Sequence, residues 1–306
     1  MNTPAVSIII PTYNRLSLLR EALDSIHRQT YRDFEVIVID DGSTEEIASG
    51  VADHPVRPRV VRQQRQGPAG ARNLGIEEAS ADLVAFLDSD DLWQPIKLER
   101  FIAATQAQPD INVFYGPMSP IDEAGNLVPG RTKPCHDGWI TEKLFCSSFV
   151  HIPTVVCRKA LLFQANCFDR TLPVCEDYDL WLRVSVREPF ALIEEPCALR
   201  RLHRDRLSKA CMSRNLAVKA KVLQRFFESN TANGHLDPTV AKARLARVLF
   251  AAARAAFRDG RYRQAVELCR ESRRHGRSML RTAPLMAGAH TLAYLPQPPE
   301  AGQAPT

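Results

Sequence analysis

Three carboxylates stand directly after a short apolar run in the first third of the chain. The run spans 83–87, and Asp88, Asp90 and Asp91 follow it with one serine between the first two. Like charges this close raise one another's pKa unless a cation or a hydrogen-bond donor offsets them. Side chains two apart in an extended segment share a face, so Asp88 and Asp90 can address one ion while Asp91 points elsewhere or caps the next helix.

The chemistry predicted for this cluster is the binding of a divalent cation. Oxygen ligands favour Mg²⁺ or Mn²⁺, and so few carboxylates leave coordination positions for water and for the phosphate oxygens of a substrate. The alternative is an acidic turn that only caps a helix near Pro95. The eight cysteines contain no CxxC pair and no Cys/His cluster at zinc spacing, so neither a zinc module nor a redox dithiol is indicated.

The apolar run at 83–87 is the fourth in a series of strand-like segments that alternate with helical ones. The strand-like segments are 6–10, 34–39, 59–63 and 83–87, and helical spacing follows over 15–29, 67–79 and 95–107. Such alternation predicts an α/β fold with a mostly parallel sheet covered on both faces. In these sheets ligands bind outside the carboxyl ends of the strands, where 11–14, 40–43 and 88–91 all fall. Thr44 is expected to cap a short helix after the second strand.

Beyond residue 113 the alternation weakens, and the last third of the chain is predicted to be helical. A strand is expected at 113–115, a helix at 177–186 and short strands at 191–193 and 198–202. Helices are then predicted over 216–227, 238–258 and 262–275, with Asp237 as a cap. The last two helices resemble one helix-turn-helix unit of the tetratricopeptide kind, which cannot bury its own apolar face.

The charge of the chain is unevenly distributed. Residues 200–277 hold 20 Lys and Arg and 6 Asp and Glu, a net charge of +14, whereas residues 1–199 carry a net charge of −9. Such a basic region can face anionic lipid, an anionic glycan or nucleic acid, and the alternative is that these are solvated faces of Arg-rich helices. Without an apolar run of spanning length or a signal segment, the protein is expected in the cytoplasm.

Five short motifs resemble, in order and spacing, those of glycosyltransferase family 2. They are VSIIIPTYNR at 6–15, DDGS at 40–43, ARNLG at 71–75, LDSDD at 87–91 and EDYDLW at 176–181. The resemblance covers about residues 4–210. It implies the Rossmann-like GT-A fold, a UDP-, GDP- or dTDP-sugar as donor, Mg²⁺ or Mn²⁺ as the metal, and transfer with inversion at the anomeric carbon.

The resemblance places three residues at the nucleobase of the donor. Pro11 and Tyr13 are expected against the base, where an aromatic ring can stack, and Asp40 is expected to accept a hydrogen bond from a base N–H. For Asp40 and its neighbour Asp41 the alternative is an Asp-Gly turn that holds backbone amides.

The resemblance also assigns the diphosphate and metal contacts. Asp90 is expected to bind the metal directly, and Asp88 to reach the ribose or a metal-bound water. Arg72 is expected near the diphosphate or paired with an acidic residue of the metal loop, and a purely structural ion pair is the alternative. Asp91 and His203 are further candidates for diphosphate or acceptor contacts, although a lone His beside arginines is more often a surface residue.

Asp177 matches the catalytic base of the family. An inverting transfer needs a base aimed at the incoming hydroxyl, within hydrogen-bond reach of the acceptor. The alternative is that Asp177, preceded by Glu176, only favours the N-terminus of a helix through the helix dipole. Glu176 and Trp181 are candidate acceptor-side contacts, and Trp181 is equally a candidate for a buried core aromatic.

The predicted organisation is a catalytic domain at 1–210, a basic helical extension at 211–277 and a partly disordered tail at 278–306. The predicted function is addition of one sugar to a glycan or lipid-linked acceptor in cell-envelope polysaccharide biosynthesis, at the inner membrane face, with anionic lipid as a candidate partner and no nucleic acid expected. A Gln-x-x-Arg-Trp motif of processive members is replaced by LRRLHR at 199–204. The alternative is a non-catalytic scaffold that binds sugar nucleotide and docks through its basic helices, and a nucleotidyltransferase is disfavoured because no Gly-rich loop follows the first strand.

Overall fold

A computed structural model describes residues 3–130, 133–202, 212–230 and 234–292 of the chain. It divides into two compact units, Met1–Arg204 and Asp205–Thr306. The predicted domain boundary at 210 falls among residues outside the described part and stays a prediction, as does the disorder predicted for the end of the tail. No helix in the described ranges has both the length and the apolar character needed to cross a bilayer.

The described residues of the first unit form ten strands and seven α-helices. The strands are β1 (Val6–Thr12), β2 (Phe34–Asp40), β3 (Arg59–Arg62), β4 (Leu83–Phe86), β5 (Leu92–Trp93), β6 (Val113–Tyr115), β7 (Met118–Ile121), β8 (Val156–Arg158), β9 (Phe190–Leu192) and β10 (Ala198–Arg201). The helices are α1 (Leu16–His27), α2 (Ile47–Gly50), α3 (Gly67–Glu78), α4 (Lys97–Ala107), α5 (Thr141–Cys146), α6 (Lys159–Gln164) and α7 (Glu176–Ser185), and a 3₁₀ turn spans Ile152–Thr154.

Seven strands form the main sheet in the order β3-β2-β1-β4-β8-β6-β9. Neighbours are parallel except where β8 pairs with β4 and with β6. The predicted α/β fold with a mostly parallel sheet flanked by helices is therefore confirmed. A second sheet of three strands has the order β5-β10-β7.

The register of the central strands brings the chemistry-bearing loops to one edge. Thr12 at the end of β1 lies opposite Asp40 at the end of β2, and Asp40 in turn lies opposite Arg62. On the other side of β1, Ile9 pairs with Phe86 of β4, and the carbonyl of Ile9 accepts from the N–H of Leu87. The segments after β1, β2 and β4 consequently leave the sheet side by side.

Helix α3 lies unusually close to the sheet at Gly75. A Cβ atom at this position would stand 2.3 Å from Cγ2 of Ile9, a fully buried residue of β1. Only glycine lets the helix approach so closely, and this approach sets the height of α3 above the strands. The helix begins at Gly67, as the sequence predicts.

The short helix α2 does not begin as expected. It starts at Ile47 and its N-terminus carries no side-chain cap. The prediction that Thr44 caps it is wrong, because the backbone N–H and the hydroxyl of Thr44 both bond to Oδ1 of Asn14. A long-range partner has replaced the local cap.

The second unit is helical, and its described helices are α8 (Met212–Asn230), α9 (Pro238–Arg258), α10 (Tyr262–Arg274) and α11 (Met279–Leu292). Asp237 caps α9 as predicted, accepting from the N–H of Thr239 at 2.7 Å. A small core joins three of these helices through Ala256, Ala265, Val266 and Ala289. Helix α11 lies where the sequence predicts only a tail.

Candidate active site

The loops after β1 and β2 are fastened to each other by Asn14. This residue adopts the left-handed conformation with φ of 49°, which asparagine tolerates better than most residues. Its N–H donates to Oγ of Ser43 at 2.9 Å, and its side-chain oxygen accepts from the N–H of Thr44 at 2.7 Å. The two loops are therefore joined by hydrogen bonds at this point.

Asp40 is nearly buried at the end of β2, with 2% of its surface exposed. One oxygen accepts from the N–H of Ser43 at 2.9 Å, and the other lies 3.4 Å from the guanidinium of Arg62. The carboxylate is thus fixed and charge-compensated before any ligand arrives. The hydrogen bond to Ser43 stabilises the turn after β2. The expected contact between Asp40 and the nucleobase stays a prediction.

Asp41 holds the start of α3. Its two oxygens accept from the backbone N–H groups of Gln66 and Gly67, both at 2.8 Å. A carboxylate at the N-terminus of a helix is stabilised by the free amides and by the helix dipole. These contacts favour the alternative in which Asp41 holds backbone amides.

Tyr13 lies beyond the end of β1 with one face of its ring covered. The guanidinium of Arg65 stands 4.1 Å from the ring centroid and also donates to the phenol oxygen at 3.2 Å. A base that stacks on Tyr13 therefore uses the other face or displaces Arg65. Pro11 lies in β1 and is partly exposed.

Arg72 is the centre of a buried ionic network. Its guanidinium donates to Oε1 of Glu176 at 2.6 Å and to Oδ1 of Asp88 at 2.7 Å, with 5% of the residue exposed. It joins α3, the loop after β4 and the first turn of α7. The two carboxylates raise the pKa of Arg72 despite its burial, so the guanidinium stays charged. Arg72 thus pairs with an acidic residue of the Asp-rich loop, and its contact with a diphosphate stays a prediction.

The pKa of Asp177 lies well above the ordinary value of an aspartate. Removal from water, together with the neighbouring charges of Glu176 and Asp88, raises its pKa to about 7, and Arg72 opposes this shift. The residue just before the helix, Cys175, is left-handed with φ of 63°, which turns the chain into α7. A carboxyl that titrates near neutral pH can accept a proton from a substrate in water at pH 7 or above.

The Asp-rich loop is held from two sides by arginines of distant segments. Asp90 accepts from Arg15 at 2.7 Å, and Asp91 accepts from the backbone N–H of Arg201 at 3.0 Å. Arg201, with 3% exposed, also donates to the carbonyl of Asp90, to the carbonyl of Glu123 and to the carboxylate of Glu21. Asp91 therefore holds β10, and the next helix, α4, begins at Lys97 without a side-chain cap.

Four carboxylates lie together at this edge of the sheet. Asp88 and Glu176 pair with Arg72, Asp90 pairs with Arg15, and the charges of Asp88 and Glu176 act on Asp177. Burial raises the pKa of Asp88, and so do the negative charges of Asp90 and Glu176. The positive charge of Arg72 opposes this rise. Within the described ranges no three His, Cys, Asp or Glu side chains are placed to hold one ion. The donor set suits an ion that brings further oxygen ligands with it.

One of the candidate contacts, Trp181, does not join this cluster. Trp181 is fully buried and packs edge-on against Phe190, with ring centroids 6.5 Å apart, so its surroundings favour the core alternative. His203 lies outside the described residues. Sequence reasoning missed Arg15 and Arg65 as partners of Asp90 and Tyr13, because nothing in the local pattern shows which distant arginine a loop will meet.

Comparison with known families adds an independent finding. A family model described as "Glycosyl transferase family 2" matches residues 7–164. The chain is 37% identical over 186 residues to an uncharacterized glycosyltransferase of Rickettsia bellii, covering 60% of this chain and 26% of that protein. It is 31% identical over 212 residues to the amylovoran biosynthesis glycosyltransferase AmsB of Erwinia amylovora, covering 65% of this chain and 70% of that protein. The chain thus spans about a quarter of the length of the first relative and most of the second.

A solved structure shares the fold. The crystal structure of TarS 1-349 from S. aureus in complex with UDP-GlcNAc matches 94% of this chain and 87% of that one, with a TM-score of 0.66 and 19% identity. At this identity the likeness concerns the fold alone, and it agrees with the mostly parallel sheet and the helices that follow it.

Proposed function

The chain belongs to glycosyl transferase family 2 and is a glycosyltransferase, and we propose that it moves one sugar from a nucleotide-diphospho-sugar to a hydroxyl group with inversion at the anomeric carbon. The acceptor in this proposal is a glycan or a lipid-linked sugar. The whole protein's donor, acceptor and partners are part of the proposal, since the chain spans about a quarter, 26%, of the length of the first relative.

The observation that carries the proposal is the state of Asp177. A carboxyl with a pKa of about 7 is a far stronger base than an ordinary aspartate, and it stands beside an Asp-rich loop at the carboxyl edge of the sheet. Matching the pKa of a base to the working pH is what general base catalysis requires. A carboxylate that was only stabilised by the positive end of the helix dipole would have a lowered pKa, not a raised one.

The donor is proposed to lie across the segments that follow β1, β2 and β4. The nucleobase lies against Tyr13 and Pro11, with Asp40 as its hydrogen-bond acceptor, and Asp88 reaches the ribose. Because Asn14 joins the first two loops, a base held by one of them is positioned relative to both. The UDP-GlcNAc bound by TarS, a protein of similar fold, supports a donor of this chemical class.

Asp90 is proposed to hold a divalent cation, Mg²⁺ or Mn²⁺, with Asp88 in support. Such an ion would stabilise the negative charge that builds on the leaving nucleoside diphosphate. When Asp90 binds the ion, the guanidinium of Arg15, which pairs with Asp90 at 2.7 Å, can instead bind a phosphate oxygen of the donor. Arg72 keeps Asp88 and Glu176 in place throughout.

The proton follows a short path. One oxygen of Asp177 accepts the proton of the acceptor hydroxyl as the hydroxyl oxygen forms its bond to the anomeric carbon. The bond from that carbon to the diphosphate oxygen breaks on the opposite face of the sugar ring, and the electron pair leaves with the nucleoside diphosphate. One bond forms and one breaks on opposite faces, so the anomeric configuration inverts.

The basic helical unit is proposed to associate with an anionic membrane surface. Residues 200–277 carry a net charge of +14, which attracts anionic headgroups at long range. A lipid-linked acceptor would lie at the same surface.

The replacement Asp177→Asn tests the proposal. We expect transfer to fall by about three orders of magnitude or more, since a base contributes roughly 10² to 10⁴ in rate, while donor affinity changes little. The measurements are product formation with the configuration of the new bond read by NMR, and calorimetry of donor binding. The control is Asp110→Asn, the same chemical change at an exposed position. Transfer by Asp177→Asn at the rate of the control, or a product with retained configuration, would refute it.

A further inference from the structure

Helix α11 presents an apolar face to solvent. In its first turn Met279 is 62% exposed and Leu280 is 87% exposed. Leu280, Ala283, Pro284 and Ala287 are all exposed and recur at helical spacing, so they lie on one face of the helix. Arg281 is the sole Lys, Arg, Asp or Glu among residues 279–292. Soluble surfaces rarely leave such a face unpartnered.

Three arginines adjoin the start of this face. Arg277 precedes the helix, Arg281 lies in its first turn, and Arg247 comes from α9. Burial, followed by the charges of Arg281 and Arg247, lowers the pKa of Arg277. Its guanidinium stands 4.6 Å from the ring centroid of Phe250, and its buried Nε finds no hydrogen-bond partner in the described part of the chain.

These charges have no compensating partner within the second unit as described. The described residues offer no carboxylate in ion-pair contact with Arg247, Arg277 or Arg281, although the neighbouring Arg274 is paired with Glu271. Arg277 and Arg281 also stand at the N-terminus of α11, where the helix dipole is positive and cations are disfavoured. Several repelling cations at a positive helix end are stabilised by an anion from outside the chain.

The combination of features selects one kind of occupant. A free phosphate would satisfy the arginines and leave Met279 and Leu280 in water. A second copy of the chain would cover the apolar side chains, but it would also bring its own three arginines against the three arginines of the first copy. A bilayer with anionic headgroups supplies phosphate at the level of the arginines and hydrocarbon immediately below them.

We infer that this surface, formed by Met279, Leu280 and the arginines 247, 277 and 281, docks on an anionic lipid bilayer. Leu280 and Met279 enter the interface between headgroups and acyl chains, and the guanidinium groups bind lipid phosphates. The inference rests on the proposed membrane association of the helical unit. It is independent of the chemistry at Asp177.

The test is sedimentation of the full chain with lipid vesicles. We expect binding to vesicles of phosphatidylglycerol and phosphatidylcholine, little binding to phosphatidylcholine alone, and weaker binding as salt is added. Leu280→Ser should weaken binding about tenfold through lost apolar burial. Arg281→Gln should weaken it about fivefold through one lost headgroup contact. Leu280→Trp should strengthen it, a gain that an unfolded variant cannot produce.

Matched controls separate this surface from general basicity. Arg263→Gln removes one exposed arginine at the other end of α10, and Leu127→Ser removes a side chain that is 68% exposed in the first unit. Both should bind vesicles like the unaltered chain. Equal loss in the controls, equal binding to neutral vesicles, or a change in oligomeric mass instead of lipid binding in Leu280→Ser would overturn the inference. Sugar transfer to a water-soluble acceptor should be unchanged in Leu280→Ser, so failure here and failure of the proposed function are distinguishable.

Discussion

At the scale of single residues, Arg72 determines how close the acidic groups of the site can lie. Asp88 and Glu176 both bond to its guanidinium, at 2.7 Å and 2.6 Å. Without that cation the negative charges of the two carboxylates would repel each other. Asp177 is affected as well, because Arg72 is the group that opposes the rise of its pKa.

Replacement of Arg72 should therefore be severe. Arg72→Gln leaves two carboxylates without their cation, and we expect a loss of about 3 to 5 kcal/mol in the free energy of unfolding. Urea denaturation measures this change. Arg170→Gln is the control, because Arg170 is an exposed arginine whose side chain is 52% accessible and whose ion pair contributes little. Equal stability of the two variants would contradict a central role for Arg72.

The positions of the candidate site residues in the fold could be predicted from sequence, but their partners could not. Asp88, Asp90 and Asp177 stand where strand and helix patterns predict functional side chains, at the ends of elements. Arg15 and Arg201 meet the Asp-rich loop across 75 and 110 positions of the chain. Apolar periodicity describes local structure and contains no information about which distant side chain will contact a given loop.

At the scale of elements, the approach of α3 to β1 positions the site. Arg72 lies on this helix one turn from Gly75, so any change in the height of the helix moves the guanidinium relative to Asp88 and Glu176. The space for a Cβ at Gly75 is taken by the side chain of Ile9.

Gly75→Ala should thus destabilise the protein by about 1 to 3 kcal/mol through overpacking. The destabilisation caused by Gly75→Ala should be smaller in an Ile9→Ala background, because removing Cγ2 of Ile9 frees the space that the new methyl group needs. A double-mutant cycle in urea measures the difference. Additive effects of the two changes would show that the close approach does not constrain α3.

Element boundaries in the first half of the chain follow the apolar periodicity closely, and the exceptions have physical causes. The strands predicted at 6–10 and 34–39 are observed as Val6–Thr12 and Phe34–Asp40. Helix α11 was not predicted, since its composition and the internal Pro284 are typical of a tail. Ala289, which is fully buried, and the partly buried Met286 pack it against the other helices, and this tertiary contact outweighs the local signal.

At the scale of the whole molecule, the two units differ in secondary structure and in charge. The alternation of strands and helices was sufficient to predict the α/β unit, and the five motifs were sufficient to predict the family to which the chain belongs. The docking surface on α11 was not predicted, because it depends on which residues the helical packing leaves exposed.

Ligand binding should be visible in the stability of the whole chain. A ligand at 100 times its Kd stabilises the folded state by about 2.7 kcal/mol, which corresponds to roughly 5 to 10 °C in Tm. We expect this rise for a UDP-, GDP- or dTDP-sugar together with Mn²⁺, and a much smaller rise with either alone. Asp90→Ala should lose the effect of Mn²⁺, and Asp110→Ala should retain it. A rise that is independent of Mn²⁺ and of Asp90 would refute the metal role.

The most direct test of Asp177 as the base is the dependence of kcat/KM on pH in the unaltered chain and in Glu176→Gln. The base must be ionised, so the rate should rise with pH and level off above the pKa of about 7. Glu176→Gln removes a charge that raises the pKa of Asp177 and keeps an acceptor for Arg72, so the rise should move to lower pH. A rise centred near pH 4, or one that stays in place in Glu176→Gln, would contradict the account.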